Sequence, residues 1–203
     1  MKKTIKDLDV EGKRVLLRVD FNVPIENKKV VDDTRIRNSL PTIRYLIERH
    51  ARVMILSHLG RKSGFVVEEL RMNPIAHRLS ELLEMPVEKI DNCIGPDVRD
   101  AVKAMRPGQV IFLENVRFHP GEMVNDLHFA QRLAEFADLY VDDAFASLHR
   151  THASIVGITH FIPSVAGLLV ENEIRGLRQV QKAIQPPVVV ILGGSRLTDK
   201  TLF

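Results

Sequence analysis

The chain has no tryptophan, a single cysteine and few aromatic residues, and each shortage narrows what it can be. One thiol, Cys93, excludes an internal disulfide and matches a reducing compartment, so a cytoplasmic location and a buried, inert thiol are expected. With aromatics at 5%, the core must rest on Leu, Ile and Val, and an apolar share of 45% over 203 residues is enough to build one. No apolar run approaches the length of a membrane span, and the opening MKKTIKDLDVEGKR carries no run of the signal-peptide kind. Excess charge of one sign is also scarce, at a net +3. That excess fits small anions or a weak polyanion preference and argues against a dedicated nucleic-acid binder, which shows a basic tail or stripe. There is no internal repeat, metal-ligand spacing, nucleophile elbow or Walker loop.

What is present is alternation. RVLLRV (14–19), RVMILS (52–57), PVEKI (86–90), QVIFL (109–113), ADLYVDD (137–143) and VVVIL (188–192) read as strands. Between them lie amphipathic stretches. Pro41 predicts the first turn of a helix with Ile43, Leu46 and Ile47 on its apolar face. Asn73-Pro74 and Pro96 open two more, Asn125 is expected to cap a fourth, and a long helix is expected from about Val165 to Ile184. Continuous apolar strands alternating with helices predict a three-layer, doubly wound parallel sheet of Rossmann-like type.

Ligands of such sheets sit beyond the carboxyl ends of the strands. Asp20 and Asn22 follow the first strand, with Arg35 in the loop that leads to the next helix. His58 and Arg61 follow the second strand, Arg117 the QVIFL strand, and His149, Arg150 and His152 the LYV strand. Guanidinium forks match carboxylate and phosphate oxygens. Asp20 would repel a phosphate, so it should accept a hydrogen bond from a hydroxyl or orient an arginine, and the implied ligand is a phosphorylated hydroxy-acid. His119 and His152 read as structural.

GKRVLLRVDFNVP, DDTRIRNSLPTI, ILSHLGR, FLENVRFHPGE, DDAFASLHRTHAS and ILGGSRLTDK, in this order, resemble phosphoglycerate kinase along essentially the whole chain. The resemblance implies reversible phosphoryl transfer between ATP and the carboxylate of 3-phosphoglycerate, giving 1,3-bisphosphoglycerate in glycolysis. It implies that Asp20, Asn22, Arg35, His58, Arg61, Arg117 and Arg150 contact the phosphoglycerate, with Arg35 at the reacting carboxylate. It also implies that Gly193, Gly194, Arg196 and Lys200 face the phosphates of ATP or ADP, carried with Mg²⁺. The expected organisation is a phosphoglycerate-binding domain (1–170), an interdomain connector helix (171–186) and the truncated start of a nucleotide-binding domain (187–203). A chain so divided is expected to be monomeric, inactive alone, and able to associate through the exposed 188–192 strand. The alternative is a non-catalytic module that binds phosphoglycerate or a polyanion. The sequence departs from the family at Arg196, where lysine is usual, at Lys62, where proline is usual, and at Ala146, where glycine is usual.

Overall fold

The computed structural model describes residues 3–61, 64–182 and 189. Its elements run β1 (Arg14–Arg18), β2 (Ile25–Glu26), β3 (Lys29–Val30), α1 (Thr34–Glu48), β4 (Arg52–Leu56), α2 (Asn73–Leu83), β5 (Val87–Lys89), α3 (Pro96–Ala104), β6 (Val110–Phe112), α4 (Leu127–Ala134), β7 (Leu139–Asp142), β8 (Ser164–Ala166) and α5 (Leu168–Lys182), with short 3-10 turns between some of them. The chain divides into two compact units, Met1–Glu173 and Ile174–Phe203, and every strand among the described residues lies in the first.

Six strands form one sheet in the order β5-β6-β4-β1-β7-β8, every pairing parallel, while β2 and β3 make a separate antiparallel hairpin. This is the doubly wound α/β class expected. The strands are apolar on both faces because both faces are covered. Leu17, Ile55, Phe112 and Val141 pack with Ile36, Ile43 and Leu46 of α1 and with Ile75 and Leu79 of α2. Leu16, Met54, Ile111 and Tyr140 face the other way, onto Val98 and Val102 of α3 and Phe129 and Leu133 of α4. Successive side chains of a strand alternate between faces, so RVLLR feeds both layers at once.

The strand β1 is central, with Leu17 beside Ile55 on one edge and Val141 on the other. The chain moves from β1 to one side of the sheet and returns to the other side only at β7. Its carboxyl end is therefore the topological switch point, where two crossovers part and leave a crevice.

Several local expectations are corrected. Pro41 lies inside α1, not in its first turn, because the helix already starts at Thr34, whose amide is taken by Asp32 Oδ1 at 2.8 Å. Arg35 consequently stands on the first turn of α1 and not in a loop. Asn73 is the first helical residue of α2 and makes no cap; the preceding Met72 amide is taken by Glu114 Oε1 at 3.0 Å. Asp126, not Asn125, caps α4, accepting from the Phe129 amide at 2.7 Å. The long helix begins at Leu168, and Val165 belongs to β8, paired with Val141. The strand expected at 188–192 and the glycine turn after it lie, Val189 apart, outside the described residues.

Candidate functional site

The carboxyl ends of β1, β4, β6 and β7 are tied to one another before any ligand enters. Ser57, just past β4, accepts the Phe21 amide on Oγ at 2.9 Å. Asn22 Oδ1 accepts the Gly60 amide at 2.9 Å. Asn115, buried after β6, takes the Leu59 amide on Oδ1 at 3.2 Å and donates from Nδ2 to the carbonyls of Leu59 and Leu70 at 2.9 and 3.0 Å. Gly60 has a φ of +73°, and a Cβ there would come within 2.7 Å of Leu70 Cδ2, so this turn demands glycine. The loop after β4 is thus held by side chains from two neighbouring segments.

Asp20 sits at the centre of this edge. Arg35 Nη1 donates to its Oδ1 at 2.7 Å, and the Ser147 hydroxyl donates to its Oδ2 at 3.1 Å. One carboxylate therefore joins the first turn of α1 to the turn that follows β7. Arg35 is half exposed in this pair, so the contact itself stabilises by at most about 1 kcal/mol and is readily exchanged.

Deeper lies a concentration of positive charge. Arg18, the last residue of β1, is 1% exposed; Arg117 is 3% exposed and His58 2%. Arg18 donates from Nε to Ser154 Oγ at 2.9 Å, from Nη1 to the Val19 carbonyl, and from Nη2 to His58 Nδ1 at 3.0 Å. Arg117 donates from Nη1 to the Gly60 carbonyl. Its pKa is lowered by burial first, then by the charges of Arg150 and Arg18. The His58 ring is driven far below its ordinary value by burial, then by Arg18, Arg117, Arg150 and His152, and is neutral at physiological pH. The buried counterion is Glu122. Burial acts to raise its pKa, but hydrogen bonds from His152 and Ser154 and the charge of Arg18 hold it below the usual value.

The Nε atoms of Arg117 and Arg150 are buried and have no hydrogen-bond partner. An unpaired buried donor on a cation costs of order 1–3 kcal/mol or more. Two such donors, close enough for Arg150 to depress Arg117, are complementary to a multiply charged oxyanion.

All seven residues expected to contact phosphoglycerate follow β1, β4, β6 or β7 or open α1. Asp20 and Arg35 form an ion pair, Asn22 and Arg117 both engage Gly60, Arg117 and Arg150 feel one another's charge, and Arg61 is exposed at the end of the same loop. Asn22 Oδ1 already accepts the Gly60 amide, which leaves its Nδ2–H donors as the freer group for a ligand. His119 is stacked on Phe129 with ring centroids 4.7 Å apart, and His152 lies 3.5 Å from Glu122. Ala146 occupies a 3-10 turn and is not among the described residues with positive φ, so alanine is tolerated there. Gly193, Gly194, Arg196 and Lys200, like Lys62, lie outside the described residues. Sequence reasoning missed Arg18, Glu122, Ser154 and Asn115. An arginine inside an otherwise buried strand was the available signal for the first.

Comparison with known proteins matches this geometry to one family. The family model described as phosphoglycerate kinase matches residues 5–202. The phosphoglycerate kinase of Pelotomaculum thermopropionicum is 53% identical over 199 residues, covering 98% of this chain and 51% of that protein. That of Moorella thermoacetica is 51% identical over 199 residues, again 98% and 51%. Among solved structures, the phosphoglycerate kinase of Coxiella burnetii superposes with a TM-score of 0.86 at 40% identity, over 98% of this chain and 50% of that one. The enzyme from Pyrococcus horikoshii OT3 gives 0.88 at 35% identity, over 97% and 50%. The chain spans about half the length of the curated relatives it matches. A central strand flanked by cation-bearing loops, in a sequence alike from residue 5 to residue 202, has one explanation: this chain belongs to the phosphoglycerate kinase family.

Proposed function

We propose that the cationic edge holds 3-phosphoglycerate, or 1,3-bisphosphoglycerate in the reverse direction, for phosphoryl exchange with ATP or ADP. The observation that carries this reading is the pair of buried, unpartnered Nε donors on Arg117 and Arg150. They lie beside a histidine that cannot add charge of its own. The ligand's phosphate meets His58, Arg117 and Arg150, with Arg61 closing over it from the exposed end of its loop. Asn22 and Asp20 address the carboxylate and hydroxyl end, and Arg35 lies nearest the reacting carboxylate.

The chemistry asks little more of this chain. The acceptor is a carboxylate, ionised at neutral pH, so no general base is required. Catalysis then consists of holding the carboxylate in line and neutralising charge on the transferring group. Arg35 suits the second task, because it is half exposed and can swing from Asp20 to a more negative partner while Ser147 still donates to the Asp20 carboxylate. Mg²⁺ accompanies the nucleotide in this chemistry. Among the described residues no group of three or more His, Cys, Asp or Glu is placed to hold a metal. Nucleotide contacts are proposed for Gly193, Gly194, Arg196 and Lys200, and a cytoplasmic location fits the single buried thiol.

The test is calorimetric titration of the chain with 3-phosphoglycerate, repeated on Arg150→Ala. Saturable binding weakened at least about tenfold by the substitution is expected, since a hydrogen bond to a charged group nets roughly 1.5–3 kcal/mol. Absence of saturable binding, or binding indifferent to Arg150, would refute the reading.

A further inference from the structure

Behind the cationic edge runs a chain of hydrogen bonds whose direction is fixed at every link. Ser154 has one hydroxyl proton, and the buried Glu122 takes it, Oγ to Oε1 at 2.7 Å, while the Ser154 amide donates to Oε2 at 2.9 Å. The lone pairs of Ser154 Oγ are therefore left for Arg18, whose Nε donates to it at 2.9 Å. The same guanidinium is pinned by the Val19 carbonyl through Nη1 and reaches His58 Nδ1 through Nη2 at 3.0 Å. A guanidinium has donors and no acceptor. Nδ1 must then carry a lone pair, and the single proton of the neutral ring lies on Nε2.

We propose that Arg18 is a positioning residue that locks His58 as a neutral Nε2–H donor for the bound phosphate. The site's hydrogen bond to its anion then does not depend on histidine protonation. The inference rests on the anion reading given above. Facing the ring are Arg18 from β1, Arg117 from the 116–118 turn, and Arg150 and His152 from the segment after β7. Glu122 lies behind His152. A second proton on the ring would put a further cation among three guanidiniums in a place water does not reach. An ordinary histidine strengthens its hold on phosphate as it protonates near pH 6.5. Here that gain is given up for a donor that is always present and always aimed, because its ring is fixed from the opposite side.

The test reads the ring itself. In nitrogen-15 NMR of the full chain, with the His58 signals identified by their loss in His58→Gln, Nδ1 should resonate as a pyridine-type and Nε2 as a pyrrole-type nitrogen. Neither should move between about pH 5 and pH 8, the window in which a free histidine titrates. A proton on Nδ1, or a His58 that titrates in this window, would overturn the proposal. In Arg18→Lys the ring is expected to populate both tautomers, since one ammonium cannot replace three directed N–H bonds. An unchanged spectrum in that variant would deny Arg18 its role, and if the variant does not fold, the wild-type spectrum decides. In a parallel titration with 3-phosphoglycerate, His58→Gln offers Arg18 an acceptor and the ligand an N–H. It should bind at least about tenfold more tightly than His58→Met, the worth of one charge-assisted bond; equal affinities would remove the donor role. Failure of the wild-type chain to bind would sink the phosphoglycerate reading while the spectrum still judged the lock.

Discussion

The substitution Asp143→Asn should raise the stability of the protein relative to wild type progressively as pH rises. Asp143 follows β7 and is fully buried. Its Oδ1 accepts the amides of Leu169 and Val170, at 2.9 and 3.3 Å, and so holds the amino end of α5. Oδ2 is buried without a hydrogen-bond partner of normal geometry; the Thr42 hydroxyl, which accepts the Leu168 amide at 3.1 Å, acts on the carboxyl from nearby. Burial raises this carboxyl from 3.8 to about 6, against the opposing pull of Thr42, Val170 and Leu169. At 1.36 kcal/mol per pH unit, that gap makes the ionised native state cost about 3 kcal/mol. The folded pKa is the higher one, so the stabilising effect of the protonated form is complete below 3.8 and lost as pH rises through about 6. Linkage places about 1.4 kcal/mol of the loss between pH 5 and pH 8. Asparagine keeps an oxygen for the two amides and carries no charge, and its amide group, set where Oδ2 has no partner, subtracts about 1–3 kcal/mol at every pH. The discriminating quantity is the slope. Urea unfolding followed by circular dichroism at pH 5, 6.5 and 8 should show the stability of the variant relative to wild type rising by about 1.4 kcal/mol. Carboxyls other than the adjacent Asp142, whose charge acts on Asp143, titrate alike in both proteins and cancel. A difference that stays flat, or shrinks, as pH rises would refute the assignment of a raised pKa to Asp143.

Three further outcomes follow from contacts already described or closely tied to them. Arg117→Met removes a buried cation with an unpartnered Nε, so thermal unfolding should be unchanged or later while 3-phosphoglycerate affinity falls at least about tenfold; a large drop in stability would show that the charge is balanced without ligand. Gly167→Ala would set a Cβ 2.2 Å from Asp143 Oδ1 and should cost about 1–3 kcal/mol in denaturant unfolding, and a smaller loss would mean that the β7–α5 junction is looser than described. Glu114→Gln replaces an acceptor that serves the amides of Met72 and Asn115 together with Arg71 and Lys89; facing donors on every side, the amide should cost about 3 kcal/mol by the same assay, and a neutral result would deny Glu114 its place as the hub beneath Asn115.

Much of this was legible in the sequence because burial on both faces leaves runs such as VLL, VMIL and VIF with nothing polar to confuse their reading. The cation-bearing loops followed from one topological rule. What escaped has physical causes. Pro41 carries the mark of a helix start, yet Asp32 takes the Thr34 amide about two turns earlier, and tertiary packing of Ile36 draws that first turn into the core. The strand β8 is three residues long, too short for any period to show, and is fixed by pairing with β7. Asn125 has the composition of a cap but takes a φ of +55°, leaving the role to its neighbour. Arg18 hid inside an apolar run, and its importance lies in partners 40 and 136 residues away, His58 and Ser154, which no local pattern reports.

The position of β1 also bears on how the molecule is made. It precedes every other strand among the described residues, yet one of its two edges waits for Leu139–Asp142, more than 120 residues later. Until then that edge stays open, a template for mispairing. Closure of this long loop completes the centre of the sheet and brings the Arg150 turn to Asp20 and the Ser154 segment to Arg18 in the same event. Formation of the crevice and sealing of the open β1 edge therefore depend on the same strand pairing.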